Sequence, residues 1–332
     1  VKDLASTGAD GINQLAGMLV PADKGKNATL EYALYAVVSY VAGPDKAAER
    51  AEVRKGLKES IDKCTDNANK AFLMNMLQRC ATAEDAPFFV KYAKDSYLAD
   101  WAINGLALEG MDDALLELMK NDGACREKLA YAAGDKKLAA AEPILIGWLK
   151  DADAKTKKAI YHALGIIGTA KSLPVLGAAA KADKYDWVPE TDATSAYLRL
   201  IKNLAAKNDK AAIAAAKALL KPANKAFVRG AALEAVVAAE GAKAKALITA
   251  ALADNNRDYR VNALRLSECF ADDAWYAAVA KTLKVKGDKE VKADVLNWFG
   301  TKKVASQIDA IVANINSANT EIAEAAIAAA SK

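Results

Sequence analysis

The stretch PILIGWLKDADAKTKKAIYHALGIIG, residues 143–168, decides the fold. It predicts a short apolar helix over 143–150, a polar turn, and a second amphipathic helix that ends at Gly168. Neither helix can bury its apolar side alone, and pairing the two as an antiparallel hairpin still leaves one apolar face bare. Further copies of the hairpin would cover that face, so the stretch predicts a repeat protein.

The rest of the chain supplies these copies at a regular period. Aligning the predicted second helices places the following residues in one column: Thr156, Ala193, Val228, Tyr259, Val291 and Ile322. Their spacings are 37, 35, 31, 32 and 31 residues. A period of roughly 30–40 residues with two helices per unit is typical of α-solenoids. We therefore predict an all-α fold without sheet: a right-handed α-α superhelix of about ten helical hairpins that spans residues 1–332 as one array, with the last repeat at about 304–330.

The repeats differ in their turns. In the first repeat, Asn27 is placed to cap the second helix. In the sixth repeat the hairpin turn is enlarged to ADKYDWVPETD, residues 182–192. Because an insertion in one repeat often lies on the binding face, Trp187 is a candidate contact residue. The alternative is that Trp187 folds back and covers a gap between repeats.

Composition excludes several functional classes. The chain has 332 residues with 46 basic and 42 acidic side chains, and no block of like charges points to nucleic acid. No apolar run reaches the ~18 residues of a membrane span. Cys64, Cys80, Cys125 and Cys269 form no C-x-x-C pair, so we expect free, mostly packed thiols.

His162 is the only histidine, and it lies with Lys158 opposite the apolar side of its predicted helix. A single histidine lacks the companions of a usual zinc site, and no G-x-S-x-G motif accompanies it. We therefore predict no metal, no cofactor and no catalysis. His162 and Lys158 are either solvated surface residues or contacts on a binding face.

A helical wheel, which places His162 and Lys158 opposite the apolar side of their helix, also places a stripe of outward-facing residues on other second helices. Its aromatic members lie in the first and third repeats, and its charged members lie further along: Tyr32, Tyr35, Tyr97, Trp101, Arg199, Arg265 and Asp294. The stripe is either an ordinary wetted surface or a groove with an aromatic floor for a sugar or a peptide.

Two stretches resemble known families. Residues 153–168, DAKTKKAIYHALGIIG, and residues 228–236, VRGAALEAV, resemble HEAT repeats of the phycobilisome-lyase type. Residues 7–34, TGADGINQLAGMLVPADKGKNATLEYAL, are similar to the N-terminal HEAT region of secreted bacterial proteins that carry a C-terminal 3-keto-disaccharide hydrolase-like, concanavalin-like domain. This resemblance implies a HEAT/armadillo-type solenoid with its second helices on the concave side. It also implies a longer chain and an extracytoplasmic location, either periplasmic or secreted.

Three functions follow as hypotheses. The first is a non-catalytic scaffold for protein–protein interaction, or for positioning an attached catalytic domain. The alternative is a carbohydrate-binding accessory module of a glycan-degrading system. The third, a lyase-like enzyme, is suggested only by the name of the repeat type.

Overall fold

A computed structural model describes residues 1–21, 23–121, 125–183, 191–284 and 289–332. Throughout these residues the fold is all-α, without a strand. The predicted fold class is confirmed: consecutive helices pair into antiparallel hairpins that stack on one another, as in an α-solenoid.

The chain divides into two compact units. Unit 1 comprises Val1–Gly168 and Asp183–Ala193, and unit 2 comprises Thr169–Ala182 and Thr194–Lys332. The arrangement of both units in one continuous right-handed array stays a prediction.

Unit 1 contains five complete hairpins after a short leading helix, α1 (Lys2–Ser6). The hairpins are α2 (Gly8–Gly17) with α3 (Ala28–Val41), α4 (Ala47–Lys63) with α5 (Asn67–Cys80), α6 (Ala86–Tyr92) with α7 (Ala99–Leu106), α8 (Asp112–Asn121) with α9 (Arg126–Asp135), and α10 (Glu142–Trp148) with α11 (Ala154–Ile167). The second helices α3, α5, α7, α9 and α11 pack in sequence against one another and form one layer of the unit.

Unit 2 holds the helices of the later repeats. The first residue of α13, Ala193, is assigned to unit 1, and the rest of that helix belongs to unit 2. They are α12 (Leu173–Ala182) and α13 (Ala193–Ala205), α14 (Lys210–Leu219) with α15 (Ala226–Glu240), α16 (Lys245–Leu252) with α17 (Arg257–Leu266), α18 (Asp273–Ala280) with α19 (Lys289–Lys302), and α20 (Ile308–Val312) with α21 (Thr320–Ala330). Short 3-10 turns lead into several first helices, which the sequence did not predict.

Side-chain caps start many of the second helices. The carboxylate of Asp153 accepts a hydrogen bond from the Thr156 N–H at the start of α11, and Asn256 and Asn319 cap α17 and α21 in the same way. The prediction for Asn27 is wrong. Its side chain makes no cap bond to α3 and instead bonds both backbone groups of Val20, because the loop before α3 folds back beside it.

The core of unit 1 lies between its two helix layers and between neighbouring hairpins. Ala163 and Leu164 of α11 are fully buried. A side chain at Gly134 would place its Cβ 2.9 Å from the Cα of Ala163. Glycine therefore allows α9 and α11 to approach closely, and this close approach fixes the register between the fourth and fifth hairpins.

Candidate functional site

The exposed side of the second helices in unit 1 carries a row of aromatic and charged residues, which we call the second-helix face. On α3, the first of these helices, Tyr32 is 75% exposed and Tyr35 is 43% exposed. The guanidinium of Arg79, at the end of α5, lies over the Tyr35 ring at 4.8 Å from its centroid. This cation–π contact joins the first two hairpins across the face.

The third hairpin adds two aromatic rings to this face. The Tyr97 and Trp101 rings are stacked, with centroids 5.5 Å apart and planes at 12°. Tyr97 is 43% exposed, and Trp101 is half-buried. The carboxylate of Asp95 accepts hydrogen bonds from the N–H groups of Leu98 and Tyr97, which lower its pKa. These two bonds hold the turn that presents the Tyr97 ring.

The fourth and fifth hairpins continue the row. Lys128 of α9 forms an ion pair of 2.7 Å with Asp100 of α7. Further along α9, the Tyr131 ring lies 5.5 Å from the His162 ring of α11. His162 Nε2 is 3.8 Å from the Asp135 carboxylate. The imidazole is thus half-buried against its neighbours and is not a fully solvated surface group.

Where the second-helix face reaches the fourth and fifth hairpins, the surroundings of Tyr131 favour its neutral form. Its pKa is raised, first because burial disfavours the phenolate and second because Asp192, Glu127 and Asp135 place negative charge nearby. Lys158 lies 3.9 Å from Asp192 at the same end. The described residues contain no cluster of three or more His, Cys, Asp or Glu side chains that could hold a metal ion.

A polar groove opens beside this face at the starts of α7, α9 and α11, and the sequence did not predict it. Its volume is about 550 Å³. Among its lining residues, Arg126 forms an ion pair of 2.7 Å with Asp151 and lies over the Trp148 ring. The hydrogen bond from the Thr156 N–H is the main cause of a lowered pKa at Asp153. One feature of the sequence could have predicted this groove: charged residues recur at the starts of three successive second helices.

The other residues that we predicted as contacts lie either in unit 2 or outside the described part of the chain. Arg199 and Arg265 are exposed on α13 and α17. Arg265 donates to the Asn262 side chain and lies 3.8 Å from Glu234. Trp187 falls within residues 184–190, outside the part of the chain that the structure describes.

Asp294 is a correction to the predicted stripe. It is only 8% exposed, because the guanidinium groups of Arg257 and Arg260 cover its carboxylate from α17. Asp294 therefore belongs to the packing between α17 and α19 and does not present itself to a ligand.

No helix in the described residues is long and apolar enough to cross a membrane. In the comparison with protein families, residues 111–196 match the model for HEAT repeats. The match begins just before α8 and ends within α13, so it includes Tyr131, His162 and the fifth hairpin. Together with the all-α fold, it supports a HEAT-type helical repeat protein. A search among curated proteins found no match.

Proposed function

We propose that the chain is a non-catalytic helical scaffold that binds a protein partner through the second-helix face of unit 1. HEAT repeats commonly mediate protein interactions, and a helical fold of this type is typically non-catalytic. The observation that carries the proposal is the set of exposed and half-buried aromatic and charged side chains, from Tyr35 to His162, on five consecutive second helices and in the turn before α7.

The composition of this row suits a protein surface. Tyr, Trp and Arg are the side chains that most often dominate binding energy at protein interfaces. Here Tyr35, Arg79 and Trp101 lie on three adjacent second helices, and Tyr97 lies in the turn before the third of them. The ion pair of exposed Asp100 and half-buried Lys128 lies beside them. The rings pair mainly with one another, so their orientation is already set before a partner binds, which reduces the entropy lost on association.

A photo-crosslinking amino acid at position 97 tests the proposal in the full chain. A defined protein should be captured there and not from position 18, because Met18 is 61% exposed but lies at the end of a first helix. Binding of the purified partner should weaken by about 2 kcal/mol in Tyr97→Ala, and by far less in the control Met18→Ala. Equal affinities for both variants would contradict the assignment of the binding face.

A carbohydrate ligand is the second candidate, and the Tyr97–Trp101 stack favours it. Stacked rings with polar neighbours such as Asp100 suit the apolar face and the hydroxyl groups of a sugar. Titration with a panel of glycans, followed by tryptophan fluorescence, should then show a change that Trp101→Phe reduces. Unaltered fluorescence with every glycan would refute this candidate.

We also propose that the chain is attached to a catalytic domain of the 3-keto-disaccharide hydrolase type and that it has an extracytoplasmic location. Both are supported only by the resemblance of residues 7–34. The complete coding sequence tests them: it should contain an export signal before this region and a β-rich domain after it.

A further inference from the structure

Three successive first helices of unit 2, α12, α14 and α16, expose a uniform set of side chains. None of these helices contains an aspartate or a glutamate. Apart from Pro174 and Thr249, each of their exposed residues is a lysine or an alanine. In unit 1, by contrast, the first helices α4 and α8 carry four and three carboxylates among their basic residues. The exposed side of α12, α14 and α16 therefore has charge of one sign.

We call the exposed lysines of these helices, and of the turns beside them, the lysine surface. Its members are Lys171, Lys181, Lys210, Lys217, Lys221 and Lys243. Within α14, Lys210, Ala214 and Lys217 recur at helical spacing and share the exposed side. The buried residues Ala212 and Ala216 lie on the opposite side, which faces the core. The fold thus separates the lysines of α14 from its packed residues.

Most of the charge on the lysine surface is not neutralised within the protein. Lys217 has a partner, because its ammonium group lies 2.6 Å from the Glu240 carboxylate. The other members form no ion pair with any residue that the structure describes: Lys171, Lys181, Lys210, Lys221 and Lys243. Elsewhere in unit 2, exposed lysines face carboxylates of neighbouring hairpins, as Lys202 faces Glu234. The lysine surface therefore retains positive charge for an anionic ligand.

The composition of the lysine surface indicates the kind of ligand. Protein interfaces are enriched in aromatic residues, Met and Arg and depleted of Lys and Ala, so this surface has the opposite composition. Nucleic-acid sites without sequence preference usually add aromatic rings on which bases stack. The exposed residues of α12, α14 and α16 include no aromatic ring. Lysines alone suit anionic lipid headgroups, which increase the affinity by about fivefold for each lysine near the membrane surface.

The distribution of the lysines also suits a membrane surface. Lys210 and Lys217 are seven residues apart, so about 10 Å of the α14 axis separates them. Stacking of successive repeats places first helices side by side, at a distance of about 8–10 Å. The charges are thus spread over an area, which matches a plane of headgroups better than one strand of phosphates. Ala211, Ala214 and Ala218 are too small to enter the acyl region, so the contact stays at the headgroups.

We propose that the lysine surface binds the anionic headgroup layer of a lipid membrane, as a peripheral contact without insertion. Because the attraction is between exposed charges, it depends on the charge density of the membrane and is screened by salt. The proposal goes beyond the scaffold function, since no residue of the second-helix face takes part in the contact.

Flotation of the full chain with lipid vesicles tests the proposal. Vesicles of about one third phosphatidylglycerol in phosphatidylcholine should carry the chain upward, and vesicles of phosphatidylcholine alone should not. Binding should be strong at low salt and should disappear at about 1 M salt, where the Debye length is only about 3 Å.

A pair of double variants with equal net charge shows which lysines are responsible. The combination of Lys210→Gln and Lys221→Gln should weaken vesicle binding about twenty-five-fold. The control combines Lys26→Gln and Lys155→Gln, two exposed lysines of unit 1, and should bind vesicles as the wild type does. Glutamine has a helix propensity similar to that of lysine, so circular dichroism should show the native helix content in both variants.

Three results would overturn the proposal. Equal losses in the two double variants would mean that only net charge matters. Equal flotation with neutral and anionic vesicles would exclude headgroup charge as the cause. Absence of vesicle binding, together with binding to a DNA duplex that Lys210→Gln and Lys221→Gln weaken, would assign the lysine surface to nucleic acid; absence of both would leave it as a solvated surface.

Discussion

Asp85 is a buried carboxylate that accepts three hydrogen bonds in unit 1, and its replacement by Asn is the main test of how neighbouring hairpins are joined. The residue is fully buried in the 3-10 turn before α6. Its carboxylate accepts hydrogen bonds from Arg54 Nε at 2.6 Å, Lys58 Nζ at 2.8 Å and the Thr82 N–H at 3.0 Å. Arg54 and Lys58 belong to α4, so the cluster joins the second hairpin to the third.

Asp85→Asn should destabilise this junction by about 3–5 kcal/mol. The asparagine keeps the shape of the side chain but replaces one acceptor oxygen with an NH₂ group that faces donors. Arg54, which is only 6% exposed, then retains a buried charge whose remaining carboxylate partner is the exposed Glu84 at 3.2 Å. Removal of one partner from a buried ion pair typically has a cost of this size.

The cluster also predicts how stability depends on pH. Burial alone would raise the pKa of Asp85, but the hydrogen bonds from Arg54, Lys58 and the Thr82 N–H outweigh it and hold the pKa below its usual value. The folded state therefore favours the carboxylate more than the unfolded state does. This stabilisation is present above the unfolded pKa of about 3.9 and is lost as the pH falls through the folded pKa.

Asp294 of unit 2 provides the matched control. It is also buried, but one of its oxygens accepts no hydrogen bond, and burial raises its pKa despite the nearby Arg257 and Arg260. The ionised carboxylate is therefore less favourable in the folded state than in the unfolded state. Asp294→Asn removes that charge while its oxygen can still accept from Arg257, so it should be neutral or stabilising by less than about 1 kcal/mol at pH 7.

Hydrogen exchange followed by mass spectrometry is the suitable assay, because it locates the loss of stability. Asp85→Asn should increase exchange in α4 to α7 first, since neighbouring repeats couple most strongly. Urea unfolding gives the accompanying change in free energy. A loss below about 1 kcal/mol for Asp85→Asn, or equal effects of both substitutions, would show that burial and hydrogen bonding do not separate the two carboxylates as argued.

Three further predictions test packing and thiol chemistry. Leu164→Ala should cost about 2–5 kcal/mol and open α9 and α11 in hydrogen exchange, because the residue is fully buried; unchanged exchange there would mean that the assigned register is wrong. Gly134→Ala should cost about 1–3 kcal/mol in urea unfolding, because its Cβ would lie 2.9 Å from the Ala163 Cα, and a neutral result would show that the helices can separate. Timed alkylation of the unreduced chain should label exposed Cys269 long before Cys80, whose thiol pKa burial raises to about 12; any native disulfide would contradict the assignment of all four cysteines as thiols.

The sequence predicted the hairpins well because each repeat must solve the same packing problem. Apolar residues recur at helical spacing in every repeat, so the second helix predicted for 153–168 is observed as Ala154–Ile167. The prediction of which residues point outward was weaker. A helical wheel describes one helix alone, and it placed Asp294 outward because its sequence neighbours are polar. Its burial depends on Arg257 and Arg260 from a different repeat, and the single-helix pattern does not contain that information.

The same limit applies to the candidate site. The sequence pattern predicted the side on which its residues lie, but not their contacts with one another. The wheel placed Tyr97 and Trp101 on one side of the third hairpin, and both lie on the second-helix face. It did not predict that their rings stack, or that Arg79 covers Tyr35, because these contacts depend on side-chain rotamers and on the distance between helices. The loop with Trp187 lies outside the described residues, so its role stays a prediction.

In a helical repeat of this kind, the residues that determine stability differ from the residues that are available for recognition. Core positions such as Leu164 and Leu296 face neighbouring hairpins, so a substitution there acts on stability. Positions such as Tyr35 and Tyr97 contribute little to that packing, and stacking of the helices nevertheless aligns them into one surface.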